Sequence, residues 1–378
     1  MSKAHKSQDE PTNIPPPSGR GIGGGCINLP IKTDIGHPHP APPPQGEGIS
    51  NAELKTLYER YAFRITDQVK KTMYGAPDND PVARQYIPQA EELYTTPEEH
   101  PDPIGDDTYT PVKGIVHRYP DRALFKIAHV CAVYCRYCFR REMVGPGGDI
   151  LSAGEIDAAL DYIRAHPEIF EIILTGGDPL VLSSKRLGAL LDALEDIPHV
   201  KIIRIHSRVP IADPARITDE LSATLKRRTP VYIALHVNHV QEITSEVEEA
   251  ITRLRASDCV LLSQSVLLKG VNDSAEILEA LYKKLLTLRV KPYYLHHPDF
   301  APGTLHFRLS IKEGQTIVRA LQGRISGLCQ PHYMLDIPGG AGKVPLTPCY
   351  LAELEDGRYI VQDYRGGKHS YPPQGLKK

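Results

Sequence analysis

Cys131, Cys135 and Cys138 stand in the run CAVYCRYCFRRE, a C-x3-C-x2-C spacing directly after an apolar segment. Thiolates are soft ligands that suit iron–sulfur clusters and zinc. Three of them can hold three irons of a [4Fe-4S] cluster and leave the fourth iron open to bind a small molecule and act on it. Ferredoxin patterns supply four cysteines per cluster and close every iron, so this spacing points away from plain electron transfer. The alternative is a Cys3His zinc site with His117 or His129 as fourth ligand. Structural zinc pairs one cysteine knuckle with a second, whereas Cys26, Cys259, Cys329 and Cys349 are isolated in the sequence. Seven cysteines in 378 residues are also too sparse for a disulfide framework. For Cys259 and Cys329 an inert, buried thiol is the preferred reading.

The elements that position this cluster begin at about Ala123. Apolar, β-branched runs appear at 123–130, 170–175, 200–206, 231–237, 260–268 and 291–297, with a further one at 332–337. Amphipathic helical patterns separate them, several with capping boxes: Ser152/Glu155, Ser245/Glu248 and Ser310/Glu313. Repeated βα units predict a parallel sheet. The number of units falls short of the eight of a closed barrel. The fold class is therefore α/β, a partial, open (β/α)6-type TIM barrel, with a doubly wound sheet as the alternative.

Ligands of parallel α/β folds bind outside the carboxyl ends of the strands, and polar residues gather there. The cysteines follow the first strand and Thr175-Gly176-Gly177-Asp178 the second. His206-Ser207-Arg208 follows the third. His236 ends the fourth, Gln264 and Ser265 lie in the fifth, and Asp299 follows the sixth. Asp336 and the loop Gly339 to Lys343 come with the last. Turns and helix caps explain any one of these but explain the whole alignment poorly. Gly176 and Gly177 could form a plain turn, or let a ligand amino group approach the backbone. Lys343 could be a solvated lysine or, beside two carboxylates, a Schiff-base lysine. Arg118, Tyr119 and Arg122 could be a solvated loop or a clamp for an anion such as phosphate.

The remaining chain is less informative. Residues 1–49 are rich in Pro and Gly and predict a disordered leader. GRGIGGG within it follows no strand and reads as linker rather than phosphate loop. Ser50/Glu53 predicts a helix running to about Lys71, within a helical extension over 50–112. The barrel is expected over 113–338, and 339–378 as the Lys343 loop and a β-hairpin tail turning at Asp356-Gly357 and 365–367. Basic residues number 44 and acidic 46, a formal charge of −2, so nucleic acid is not an expected partner. No apolar run of about 18 residues predicts a membrane span. Reduced, clustered cysteines without an export signal suggest a cytoplasmic protein.

From about Asn51 to Pro348 the chain resembles the lysine 2,3-aminomutases, radical S-adenosylmethionine enzymes that also use pyridoxal 5'-phosphate. The resemblance rests on HRYPDRALF, CAVYCRYCFRR, LTGGDPL, SQSVLLKGVND, PYYLHHPD and LDIPGGAGKVP. It implies that Cys131, Cys135 and Cys138 hold the [4Fe-4S] cluster, with S-adenosyl-L-methionine on the open iron and its amino group near Gly176, Gly177 and Asp178. His236 and Gln264 would lie beside that cofactor. Lys343 would carry pyridoxal phosphate, with Arg118, Tyr119 and Arg122 on its phosphate. Arg140 would bind the substrate carboxylate, and Asp299 with Asp336 the distal ammonium. The implied reaction moves the amino group of L-lysine from C2 to C3, begun by a 5′-deoxyadenosyl radical. An external one-electron donor such as flavodoxin or ferredoxin, and a homo-oligomer, come with it.

Other readings stay open. One is a homologue that makes β-lysine for elongation factor P, against which Asp336 argues. Another is a 2,3-aminomutase for arginine; glutamate is disfavoured because two aspartates would repel its side chain. A third is an inert iron–sulfur or zinc sensor or scaffold. Better-known family members carry a C-terminal cysteine cluster for an intersubunit zinc, which the closing KHSYPPQGLKK lacks.

Overall fold

The computed structural model describes residues 49–145 and 148–373. The leader and its GRGIGGG motif lie outside the described residues. The described chain divides into two compact units, one up to Pro348 and one from Cys349 onward.

In the larger unit, nine strands pair in sequence order: β1 (Ile115–Tyr119), β2 (Arg122–Ala128), β3 (Glu171–Gly176), β4 (Ile202–Ser207), β5 (Val231–His236), β6 (Val260–Val266), β7 (Lys291–His296), β8 (His332–Ile337) and β9 (Gly342–Pro345). Seven of them, β2 to β8, run parallel. They coincide with the seven apolar runs of the sequence, so the partial-barrel expectation holds. Strands β1 and β9 were not anticipated. Each pairs antiparallel at an edge, β1 on β2 and β9 on β8. The edges meet through a side chain: the Lys343 amide on β9 donates to Tyr119 Oη on β1 at 2.8 Å.

Helices α1 (Asn51–Arg60), α2 (Asp67–Lys71) and α3 (Pro81–Tyr86) precede the sheet. Then α4 (Ala153–Ala165), α5 (Ser184–Glu195), α6 (Val209–Ala212), α7 (Asp219–Leu225), α8 (Ser245–Ala256), α9 (Ala275–Thr287) and α10 (Ile311–Leu321) fill the crossovers. Their apolar faces and those of the strands merge into one large core around Leu174, Ile203, Ile233, Leu254 and Leu281. The capping boxes at Ser50, Ser152 and Ser310 form as expected. At α8 the cap is instead Thr244, whose hydroxyl accepts from the Val247 amide.

The single helix expected from Ser50 to about Lys71 is broken. Tyr61 leaves α1 in extended backbone, and Thr66 caps a new start at α2. The carbonyls freed between them are used: Arg64 O accepts from the Tyr134 amide (3.1 Å) and Ala62 O from Arg136 (3.1 Å). Periodicity saw the apolar face but not the demand of the cysteine loop for acceptors.

The smaller unit, by itself, is a three-stranded antiparallel sheet of β10 (Leu351–Glu353), β11 (Tyr359–Gln362) and β12 (Lys368–Tyr371). Its turns fall at Gly357 and Gly366, both at positive φ (77° and 88°), where the sequence placed them. Cys349 is disulfide-bonded, which corrects its reading as an isolated cysteine. No helix among the described residues is long and apolar enough to cross a membrane.

Candidate active site

All the site residues proposed from sequence line one cavity of about 540 Å³ at the carboxyl ends of the strands. This includes the three cysteines after β2, Gly176 to Asp178 after β3, and His236 on β5. Gln264 on β6, Asp299 after β7, Asp336 on β8 and Lys343 on β9 join them, with Arg118, Tyr119, Arg122 and Arg140. His206, which the sequence placed at the end of the third strand, lines it too, as does His296, which was not singled out from sequence.

The cysteine loop is fixed from behind by buried charge. Glu92, fully buried, takes Arg136 through both carboxylate oxygens (3.0 Å each to Nε) and also pairs with Arg141. The Arg136 amide donates to Gln85 O (2.8 Å), and Arg141 to Gly303 O (3.1 Å). A third buried cation, Arg208, donates to Tyr86, Tyr137, Gln85 and Glu242. All three thiols are free. Burial pushes each above the ordinary cysteine range, Cys138 to about 11. Loading iron must therefore release protons. No three Cys, His, Asp or Glu among the described residues gather around a single point. A cluster does not ask for that, since its thiolates bind different irons. His117, offered as a zinc ligand, instead meets Tyr162 Oη (2.9 Å) and His166 of the α4 side.

Gly176 and Gly177 have a packing reason as well as a ligand one. Gly176 has φ +114°, and a Cβ on it would lie 2.5 Å from Ala128 O. A Cβ on Gly177 would lie 2.2 Å from Val130 O. The backbone leading into the cysteine loop occupies that space. Asp178 is committed too: its carboxylate accepts from Ser207 Oγ (2.7 Å) and from the amides of Leu180, Arg208 and Val209. Burial pushes its pKa up against those bonds. Asp178 thus ties the end of β3 to the end of β4.

Asp106, which sequence reading missed, organises the cationic side. It is 1% exposed and faces Arg140 (2.8 Å), Arg118 (3.2 Å) and Lys126 (3.7 Å). Burial works to raise its pKa, but the Arg140 charge and hydrogen bond outweigh it and hold the carboxyl low. One carboxylate against three cations leaves an excess of positive charge, which suits anions. Its sequence signal was weak: an acid in DPIGDD, 12 residues before Arg118.

The anionic side is Asp299 and Asp336. Lys343 Nζ pairs with both oxygens of Asp336, and His296 Nδ1 lies 3.5 Å from it. Burial favours the neutral form of Asp336, yet the His296 bond and the Lys343 charge hold it well below the usual range. Burial, then the Asp336 charge, push Asp299 up to about 7. The cavity is also lined by histidines that burial keeps neutral. His236 is pulled down to about 3, and His206 and His296 are also lowered.

These residues fit the groups suggested by sequence. Gln264 Oε1, His206 Nε2, His296 Nε2 and Arg118 Nε are buried without a hydrogen-bond partner and belong to residues lining the cavity. Gln264 Nε2 and His236 Nε2 are 3.4 Å apart. Tyr119 Oη already accepts from the Lys343 amide, and Arg122 stacks 3.9 Å from the Tyr119 ring centroid. Two guanidiniums and a phenol in the same cavity as the Lys343 amine are chemically compatible with a ligand that is both phosphate and aldehyde.

Comparison with known proteins agrees. The Radical SAM superfamily profile matches residues 125–281, and the Lysine-2,3-aminomutase profile matches 318–375. The chain is 42% identical over 288 residues to L-lysine 2,3-aminomutase of Clostridium subterminale, covering 76% of this chain and 69% of that one. It is 42% identical over 292 residues to that of Methanococcus maripaludis, covering 77% and 67%. Glutamate 2,3-aminomutase of Clostridioides difficile is 38% identical over 287 residues, covering 76% and 68%. With the cysteine loop, the cation hub and the Asp336–Lys343 pair in one barrel mouth, the chain belongs to the lysine 2,3-aminomutase family, radical S-adenosylmethionine isomerases that use a [4Fe-4S] cluster and pyridoxal phosphate.

Proposed function

We propose that the chain isomerises L-lysine to β-lysine, L-3,6-diaminohexanoate, by moving the amino group from C2 to C3. The observation that carries this reading is Asp299 and Asp336 in the same cavity as Arg140. A substrate with a carboxylate at one end and an ammonium at the other matches that polarity. An ammonium in a closed cavity is costly unless it is paired, and two carboxylates offset that cost. The same pair repels a glutamate side chain.

Arg140 binds the substrate carboxylate, oriented by Asp106. Asp299 and Asp336 hold the distal ammonium. Cys131, Cys135 and Cys138 hold the cluster, and Gly176, Gly177, His236 and Gln264 border S-adenosylmethionine, with Asp178 positioning them. Arg118, Tyr119 and Arg122 bind the phosphate of pyridoxal phosphate and Lys343 its aldehyde carbon. Bound there, these groups supply one-electron bond cleavage and a conjugated electron acceptor, while the protein supplies orientation and shelter from water. The neutral histidines offer hydrogen bonds without adding charge to the cavity. A cytoplasmic setting, an external one-electron donor such as flavodoxin or ferredoxin, and a homo-oligomeric state belong to the same reading.

The test removes one carboxylate at a time. Asp299→Asn and Asp336→Asn should each lower kcat/KM for lysine by roughly thirty- to several-thousand-fold, on the order of 2–5 kcal/mol. The reading fails if both variants keep wild-type turnover of lysine, or if the wild type isomerises another amino acid much faster.

A further inference from the structure

Asp336 and Lys343 are Cα partners across the antiparallel β8–β9 pair. Directly opposed residues on such a pair present their side chains to the same face. The turn between them bends through Gly339, Gly340 and Gly342, all at positive φ (75°, 88° and 96°). The backbone therefore builds in the encounter of the two side chains. Lys343 Nζ meets both oxygens of Asp336, a residue only 6% exposed. Asp299 lines the same cavity.

We propose that the ammonium of Lys343 itself fills the ammonium subsite at Asp336 until cofactor loading removes it. The cofactor-free chain is then closed to an amino acid with a distal ammonium. This rests on the reading of lysine as substrate and adds an order to it: cofactor first, substrate second. Were Lys343 to condense with the aldehyde, a C=N bond would form at Nζ and the aldehyde oxygen would leave as water with two of the ammonium hydrogens. The third hydrogen would leave as a proton or stay on Nζ, balanced by the cofactor's own phenolate. In either case Nζ would be committed to the cofactor, and Asp336 would lose its internal counter-ion. An incoming ammonium then meets a buried carboxylate held by His296 but by no cation, a state that favours a new one. Before that step the two cations compete for one anion, and the tethered one holds the advantage of effective concentration.

The experiment is calorimetric titration of the full-length chain, free of pyridoxal phosphate, with L-lysine and with L-norleucine, which lacks the distal ammonium. Lys343→Ala should bind lysine at least about tenfold more tightly than the wild type, with norleucine affinity unchanged. Lys343→Arg keeps a cation on Asp336 and should bind lysine as poorly as the wild type. Lys343→Gln serves in place of the alanine variant if that one does not fold. Equal lysine affinity in wild type and Lys343→Ala overturns the proposal. So does a gain shared by norleucine, or no lysine binding in any variant. Turnover by the loaded wild type separates the two claims. Lysine isomerised with equal affinities rejects this proposal alone, and lysine left unisomerised rejects the functional reading.

Discussion

Glu92→Gln tests whether the N-terminal segment holds the cluster loop. Glu92 is fully buried and faces two guanidiniums whose own residues are 2% and 5% exposed. Arg136 and Arg141 bracket Cys138 in sequence, so any movement of theirs moves a cluster ligand. The amide keeps shape and one acceptor but loses the charge. Two cations then stay buried with the remaining amide oxygen and the carbonyl oxygens of Ala62, Pro302, Gly303 and Arg136 to solvate them. Removing one partner of a buried ion pair costs about 3–5 kcal/mol. At ~2–4 °C per kcal/mol, the figure for chains of about 150–250 residues, Tm of the metal-free protein should fall by at most roughly 6–20 °C. Iron release to a chelator from the reconstituted protein should accelerate. Glu59→Gln is the control: its pairing with Lys55 is at the surface, with side chains 66% and 78% exposed, and such pairs add little. An unchanged Tm and iron-release rate in Glu92→Gln would refute the role given to Glu92.

Three further outcomes are expected. In the free enzyme Asp299 titrates at about 7, so lysine binding should strengthen as pH rises through that value, and the inflection should vanish in Asp299→Asn. Because the folded pKa is raised, its stability contribution has the opposite sign, present below the unfolded value and lost as pH rises through 7; urea unfolding against pH reads it. Gly177→Ala places a Cβ 2.2 Å from Val130 O, and iron content after reconstitution should drop with the displaced loop. Tyr119→Phe leaves the Lys343 amide without its acceptor, which costs about 1–3 kcal/mol; a Tm equal to wild type would count against that seam.

Much of the architecture was legible because it depends on local pattern. The seven parallel strands announced themselves as β-branched runs, and the site residues as the polar ends of those runs. What was not legible depends on distant partners. Glu92 reads as one of two adjacent acids in PQAEEL, yet its partners are 44 and 49 residues away. Asp106 acquires meaning only when Arg140 folds back onto it from 34 residues on. The break after Arg60 answers to the cysteine loop, not to helix propensity. Strands β1 and β9 were hidden by short length and by the glycines around Lys343. The two glycines after β3 looked like room for a ligand, and prove to be room for the neighbouring backbone as well.

The central claim is that the amino group of lysine moves from C2 to C3 in this cavity. Anaerobic turnover of L-lysine carrying 15N at the α-amino position, read by nitrogen–carbon coupling in the product, tests it most directly. The account predicts 15N bonded to C3 in 3,6-diaminohexanoate, and loss of that product in Asp336→Asn. Label that stays on C2 with the loaded, reduced enzyme, while a different amino acid is isomerised, would contradict it.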